Sequence, residues 1–364
     1  MIDFFGQSQF YLSDKEACDE IFNSVLSGET LLRGKSVELL ENKLCSYVGR
    51  KYSVAVNSGT DAMIIALKSI GVGQGDEIIV PSFSFIATAT PVKLVGATPV
   101  FVDVNKKNGM IDIEKIESKI TSKTKALIVV DLFGECPDYS KLIKLCKKNN
   151  IFLVEDGAQS FGSKYKSVPA GNFGIVSTIS FDVSKVIFGV STGGAILTNN
   201  YKVYKNAQKL RGHGFNPEKR NFELLGYNSN MSSLNAAMIL HRIDLMEDYS
   251  LKREYVKKYY DESFKNSRNI TLLNRGKYSK GNNHKYVIFV NNRDGLIKHL
   301  KSCNIPVKVH YDKPIPNYKC ISYGKGSFFG AKYLSSNILS LPIHPFLNDE
   351  ELEYIVKCVK GFYE

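Results

Sequence analysis

Short apolar runs of strand length recur along the first part of the chain, with segments of helical periodicity between them. This alternation restricts what the sequence can fold into more than any other feature. The runs are 53–56, 77–80, 98–103, 126–131, 151–155, 175–181 and 194–198. Several are apolar at consecutive positions, as strands covered on both faces are. Between them, residues 61–70 carry Met63, Ile64, Leu67 and Ile70, and residues 138–149 carry Leu142, Ile143 and Leu145. These spacings predict helices. Strand–helix alternation of this kind predicts an α/β fold built on a mostly parallel, seven-stranded sheet.

Past residue 245 the texture changes. A long polar helix is predicted over 250–264, strands over 286–290 and 307–311, and a terminal helix over 349–362, capped by Asn348 with Glu351. The expected division is a large domain, 1–245, and a smaller C-terminal α/β domain, 246–364. About the first 40 residues are expected to pack at the junction.

Lys185 stands in the segment Ser180-Phe181-Asp182-Val183-Ser184-Lys185, which leaves the run 175–181 and leads to Gly193-Gly194. Asp156 closes another buried run in Glu155-Asp156-Gly157-Ala158-Gln159-Ser160. A lysine able to form a Schiff base and a carboxylate at a strand end are the two protein groups that pyridoxal 5′-phosphate (PLP) chemistry needs most. A lone buried carboxylate is costly unless paired, and a protonated pyridine nitrogen pairs with it. Gln159 is within reach of the ring hydroxyl. Asn57-Ser58-Gly59-Thr60 follows a strand and opens a helix, which offers Gly59, Thr60 and free N–H groups to a phosphate. Ser180 adds a hydroxyl. Phe83 and Phe85 share one strand face, and Phe85 is the candidate to stack on the ring. Each feature has a plainer reading, as a solvated lysine, a helix cap or a core phenylalanine. Their joint appearance, in order, favours the cofactor. Gly71-Val72-Gly73-Gln74-Gly75 is not a dinucleotide loop, because it follows a helix and lacks the GxGxxG spacing.

Composition narrows the partners. The formal net charge is +12, from 48 basic and 36 acidic residues, yet no run of five like charges occurs. A nucleic-acid-binding tail is therefore not expected, whereas phosphorylated small molecules suit the charge. Seven scattered cysteines with no CxxC indicate neither a disulfide framework nor a metal site. The start of the chain lacks a signal-peptide pattern, and no apolar stretch approaches the roughly 20 residues that span a bilayer. A cytoplasmic protein, not bound to membrane, is expected.

The ordered motifs together resemble the DegT/DnrJ/EryC1/StrS sugar aminotransferases, which are fold-type-I PLP enzymes. The resemblance runs through Gly59-Thr60-Asp61-Ala62, Pro81-Ser82-Phe83-Ser84-Phe85, Gly96-Ala97-Thr98-Pro99, Glu155-Asp156-Gly157-Ala158-Gln159-Ser160 and Ser180-Phe181 with Lys185. It continues in Arg211-Gly212-His213-Gly214, Gly226-Tyr227-Asn228, His310-Tyr311 and Leu341-Pro342-Ile343-His344-Pro345. It implies that Lys185 is the Schiff-base lysine, that Asp156 pairs with the ring nitrogen and Gln159 with the ring oxygen, and that Phe85 stacks. It also implies that Gly59, Thr60 and Ser180 hold the phosphate. Asn228 would reach the phosphate of a neighbouring subunit, making a homodimer with shared active sites. His213, Lys308 and His310 are the weaker candidates for sugar contacts.

The implied activity is transfer of an amino group from an amino acid, glutamate being the expected donor, to a nucleotide-linked keto sugar in amino-sugar or surface-glycan synthesis. The chain departs from the family pattern at Asn230, where arginine is usual. It departs again at Ser191 and Thr192, where a glycine and an acidic residue are usual, and near Ser233, where an acidic residue is missing. Two alternatives stay open: a non-catalytic, regulatory PLP-binding protein, and a dehydratase on the same fold. The retained Lys185 argues against the second, since in that branch histidine replaces the lysine.

Overall fold

A computed structural model of the chain describes residues 2–321 and 326–364. Strands Tyr52–Val56 (β1), Glu77–Pro81 (β2), Thr98–Val102 (β3), Thr124–Val130 (β4), Phe152–Asp156 (β5), Val176–Ser180 (β6) and Gly194–Thr198 (β7) form one sheet. Its order is β1-β7-β6-β5-β4-β2-β3, and every predicted run of the first part falls on one of these strands. β7 is antiparallel to both its neighbours, β1 and β6. The other pairings are parallel.

The continuous apolarity of these strands follows from burial on two faces. Alternate residues serve opposite cores. Ile78, Val80, Ile128 and Val154 pack with Met63 and Leu67 of the helix Gly59–Ser69. Ile79, Leu127, Val129 and Leu153 pack on the other side with Tyr139 and Leu142 of the helix Tyr139–Lys148. No strand in the middle of the sheet has a wet face, so the period-2 pattern of a half-exposed strand is absent there.

The long helix Met246–Phe264 leads to a second, antiparallel sheet of Ile270–Leu272 (β8), Tyr286–Val290 (β9) and Ile338–Leu341 (β10), in that order. Val256 and Tyr260 of that helix, Ile288, Leu339 and Leu352 form its core. The helix Asp349–Gly361 starts with a full capping box, Glu351 N donating to Asn348 Oδ1 at 2.8 Å and Asn348 N to Glu351 Oε2 at 3.2 Å. The predicted strand over 307–311 is reduced to one bridge, where Lys308 and Ser340 exchange backbone hydrogen bonds. Beyond it the chain leaves the sheet, because His310 and Tyr311 turn into a cavity at the edge of the large sheet. Near the N-terminus, Phe10 makes edge-on contacts with Phe188, Tyr249 and Phe346 at 4.8, 5.1 and 4.8 Å. It thereby ties the first residues to the large sheet's loops, the long helix and the C-terminal segment.

Candidate active site

The antiparallel course of β7 decides where the site forms. Val56 and Ser180 both pair with Gly194, so the start of β7 lies at the same sheet edge as the ends of β1 and β6. A cavity of about 410 Å³ opens at that edge, the usual place for ligands in such sheets. Gly59, Thr60, Ser180 and Lys185 line it, as do Phe85, Asp156 and Gln159. Lys308 and His310 line it from the segment bridged to β10.

The helix Gly59–Ser69 begins at this cavity. Ser58, in extended backbone, caps it by accepting from Asp61 N at 3.1 Å. Two glycines let three segments meet here. A Cβ on Gly59 would lie 2.7 Å from Ser180 Cβ, and one on Gly194 would lie 2.4 Å from Ser58 O. The result sets first-turn N–H groups, the positive end of a helix, beside the Ser180 and Thr60 hydroxyls, an arrangement suited to a phosphate.

At the end of β5 the strand pleat sends neighbouring carboxylates opposite ways. Glu155 is bound inside the protein by Phe173 N at 2.8 Å and Ser177 Oγ at 2.7 Å. Asp156 turns to the cavity, where Oδ2 accepts from Thr88 Oγ1 at 2.9 Å and Oδ1 from Ala158 N at 3.3 Å. Burial raises the Asp156 pKa, and the Thr88 and Ala158 hydrogen bonds and the Lys185 charge pull it back. Burial lowers the Lys185 pKa, while the charges of Asp182 and Asp156 hold it up. The loop carrying Lys185 is fixed by Asp182, whose Oδ1 accepts from Ser184 N at 3.0 Å and Ser184 Oγ at 2.6 Å. Such a side-chain turn orders a loop without a helix or a strand.

Phe83 and Phe85, equivalent in the sequence, part here. Phe83 is fully buried, whereas Phe85 is 53% exposed and lines the cavity. Gln159 is held at both ends, with Oε1 accepting from Phe133 N at 2.9 Å and Nε2 donating to Tyr311 OH at 3.3 Å. His310 Nδ1 lies 2.9 Å from Ser340 Oγ. Burial and the charges of Lys285, Lys308 and Lys185 lower its pKa to about 2, so its ring is neutral.

Two candidates lie outside this cavity. Asn228 and His213 are exposed neighbours on a separate loop, joined through the Gly212–Asn228 bridge and the 2.8 Å bond from His213 N to Tyr227 O. The site also holds residues that the sequence reading missed: Thr88, Tyr311, His284, Lys285 and Phe5. Tyr311 had a signal, its place beside His310. His284 is placed by Asn282, whose Nδ2 donates to the carbonyls of Gln159 and Phe161 at 2.9 Å each and whose Oδ1 accepts from His284 N at 2.9 Å. Phe5 comes from the far end of the chain and has no local signal.

These residues fit PLP on the structure's own terms. The cavity offers a buried carboxylate for a cationic ring nitrogen, a glycine-lined helix start for a phosphate, the amine of a half-buried lysine, and an aromatic face left open to the cavity.

Comparison with known proteins agrees with that fit. The model of the DegT/DnrJ/EryC1/StrS aminotransferase family matches residues 13–360. The chain is 32% identical over 359 residues to the UDP-2-acetamido-2-deoxy-3-oxo-D-glucuronate aminotransferase of Pseudomonas aeruginosa, covering 98% of each chain. It is 32% identical over 366 residues to the dTDP-3-amino-3,6-dideoxy-alpha-D-galactopyranose transaminase of Aneurinibacillus thermoaerophilus, covering 100% of this chain and 99% of that one. Among solved structures, S. venezuelae DesV in complex with a ketimine intermediate superposes with a TM-score of 0.96 at 28% identity, over 100% of this chain and 98% of that one. The PLP form of Spr1654 from Streptococcus pneumoniae does so with a TM-score of 0.88 at 28% identity, over 94% and 95%.

Proposed function

The chain belongs to the DegT/DnrJ/EryC1/StrS aminotransferase family, and from that premise we propose that it transfers an amino group from glutamate to a nucleotide-linked keto sugar. It is a PLP-dependent sugar aminotransferase with the fold-type-I architecture. The observation that carries the assignment of roles is that Asp156, buried, and Lys185, half-buried, line one cavity and feel each other's charge.

When bound, PLP supplies an electron sink for the charge left on the donor Cα. The chain's own groups do the rest. Asp156 keeps the ring nitrogen protonated, and Thr88 keeps Asp156 ionised. Burial of Lys185 raises the share of neutral amine, which lets Nζ take the donor Cα proton and later return one to the sugar. Gln159, steadied by Phe133 N and Tyr311 OH, would hold the ring hydroxyl of the cofactor, and Phe85 would supply an aromatic contact to its ring. Gly59, Thr60 and Ser180 hold the phosphate. His310 and Lys308 contact the sugar.

Asn228 and His213 act across a homodimer in this reading, completing the partner subunit's site. Their exposure supports it, as do Phe222 and Leu225 nearby, 66% and 88% exposed. Apolar side chains of that size on one loop call for a covering surface. Residues 1–245 then act as the cofactor domain and 246–364 as the smaller domain, with the cavity between them. All seven cysteines are unpaired, in keeping with a cytoplasmic setting. No helix among the described residues is long and apolar enough to cross a membrane.

The test is spectroscopic. PLP added to the purified protein should give the Schiff-base absorbance, and glutamate should convert it to the pyridoxamine spectrum. Restoration by a nucleotide-linked keto sugar completes the assay. A spectrum that glutamate and other amino acids leave unchanged would overturn the reading.

A further inference from the structure

Lys285 is 6% exposed and lies immediately before β9. Its Nζ meets Ser184 O at 3.5 Å, the outer limit of a hydrogen bond, and no ion pair is made to it among the described residues. Lys308 approaches from the bridge to β10. The two ammonium groups share one aromatic surface: Lys285 Nζ is 4.5 Å and Lys308 Nζ 4.1 Å from the centre of the Phe5 ring. They lie 5.8 and 5.2 Å from that of Phe4. Both lysines line the cavity of Lys185 and Asp156.

Aromatic faces favour a cation, but they do not replace the water stripped from a buried ammonium. The charges around Lys285 worsen its position. Lys185, Arg253 and Lys308 all push its pKa down, as burial does first, and Asp182 opposes them. Asp182 gives its Oδ1 to Ser184 and makes no ion pair with Lys285 among the described residues. A buried amine in this state takes up its proton most readily when a ligand brings an anion.

We propose that Lys285 and Lys308 form a carboxylate-binding pair that orients an acidic substrate beside Lys185. Resting on the aminotransferase reading, the pair names what that site selects. Two substrates can supply the group. The α-carboxylate of an amino-acid donor is one bond from the carbon whose proton Lys185 moves. A keto sugar oxidised to a uronate carries a carboxylate on its ring. The phosphate cradle belongs to other elements, the helix start at Gly59 and the end of β6, and leaves the lysine pair free for this role.

Lys285→Met and Lys308→Met test the pair, singly and together. The first measurement needs no turnover: binding of maleate to the protein by calorimetry at fixed ionic strength. Its dissociation constant should rise about tenfold or more in Lys285→Met, as expected for one lost charge-assisted bond. The same variant should melt no lower than the wild type, because a buried amine without an ion-pair partner has been replaced by an apolar chain of similar length. Single-turnover kinetics then separate the two sources. A higher saturation constant for glutamate, with a carboxylate-free amine unaffected, assigns the pair to the donor. In Lys285→Met, a loss confined to a uronate substrate, with a neutral keto sugar unaffected, assigns it to the sugar. Unchanged maleate binding, or equal losses with and without a carboxylate, would overturn the proposal. A wild type that binds maleate through Lys285 but never transaminates would instead sink the aminotransferase reading and leave the pair standing.

Discussion

The Thr88 hydroxyl donates a 2.9 Å hydrogen bond to Oδ2 of Asp156, the buried carboxylate that shares its cavity with Lys185. This bond opposes the effect of burial, which raises the Asp156 pKa. Thr88→Val keeps the shape and removes the donor, so the pKa rises further. The ionised form is then reached only at higher pH, and the acid limb of the kcat profile moves up. A charge-assisted bond of about 1.5 kcal/mol corresponds to roughly a tenfold loss on that limb, with recovery on the alkaline side. Asp156→Asn should lose most turnover at every pH. A pH profile in Thr88→Val that overlays the wild type would show that the hydroxyl does not tune the carboxylate.

Lys185→Ala should bind PLP and fail to transaminate, because no other amine sits at the end of the Asp182–Ser184 turn. Borohydride reduction of the wild-type holoenzyme, followed by peptide mapping, should place the label on Lys185. Lys285 is the sharp control, since it lines the same cavity and burial depresses its pKa too. A label on Lys285 would exchange the roles assigned to the two lysines.

Much of this site was legible because its residues follow strands. Asp156 and Ser180 end β5 and β6, and Gly59 begins a helix, so their convergence follows from the strand–helix pattern alone. Phe83 and Phe85 were expected on one strand face, but β2 ends at Pro81 and both lie in the loop after it, where Phe83 turns into the core and Phe85 to the rim. Lys285 was missed for another reason. A lysine before an apolar strand reads as a solvated strand end, and its burial is imposed by Phe4 and Phe5, nearly three hundred residues away in sequence. The bridge at Lys308 was overread as a strand, because the apolar alternation through Val307 and Val309 continues past the point where the chain turns into the cavity.

His344 links that N-terminal segment to the pH. Its Nε2 lies 3.1 Å from Asp3 O, and its Nδ1 accepts from Phe346 N at 3.3 Å. Only the neutral ring protonated on Nε2 satisfies both. Burial, then the Arg253 charge, lowers its pKa to about 4, against about 6.5 in an unfolded chain. The folded value is the lower one, so the contribution is complete above pH ~6.5 and is lost as the pH falls toward about 4. Its full size is roughly 3 kcal/mol. Melting temperatures from pH 7.5 to 5 should fall more steeply for the wild type than for His344→Gln, which starts lower. Parallel curves would remove His344 from the acid response.

Shared sites make the strongest claim about assembly. If Asn228 completes the phosphate site of a second subunit, Asn228→Ala should weaken PLP retention, and added cofactor should partly restore activity. Mixed dimers test the geometry directly. A Lys185→Ala chain and an Asn228→Ala chain are each impaired alone. In the heterodimer, one site combines both defects, while the other joins the intact Lys185 of one chain to the intact Asn228 of the other. An isologous pair therefore regains one working site on mixing. Activity should rise as tagged heterodimers form and stay flat when the two chains are kept apart. Heterodimers that remain inactive, or a fully active monomer in sedimentation, would place Asn228 outside the neighbour's site.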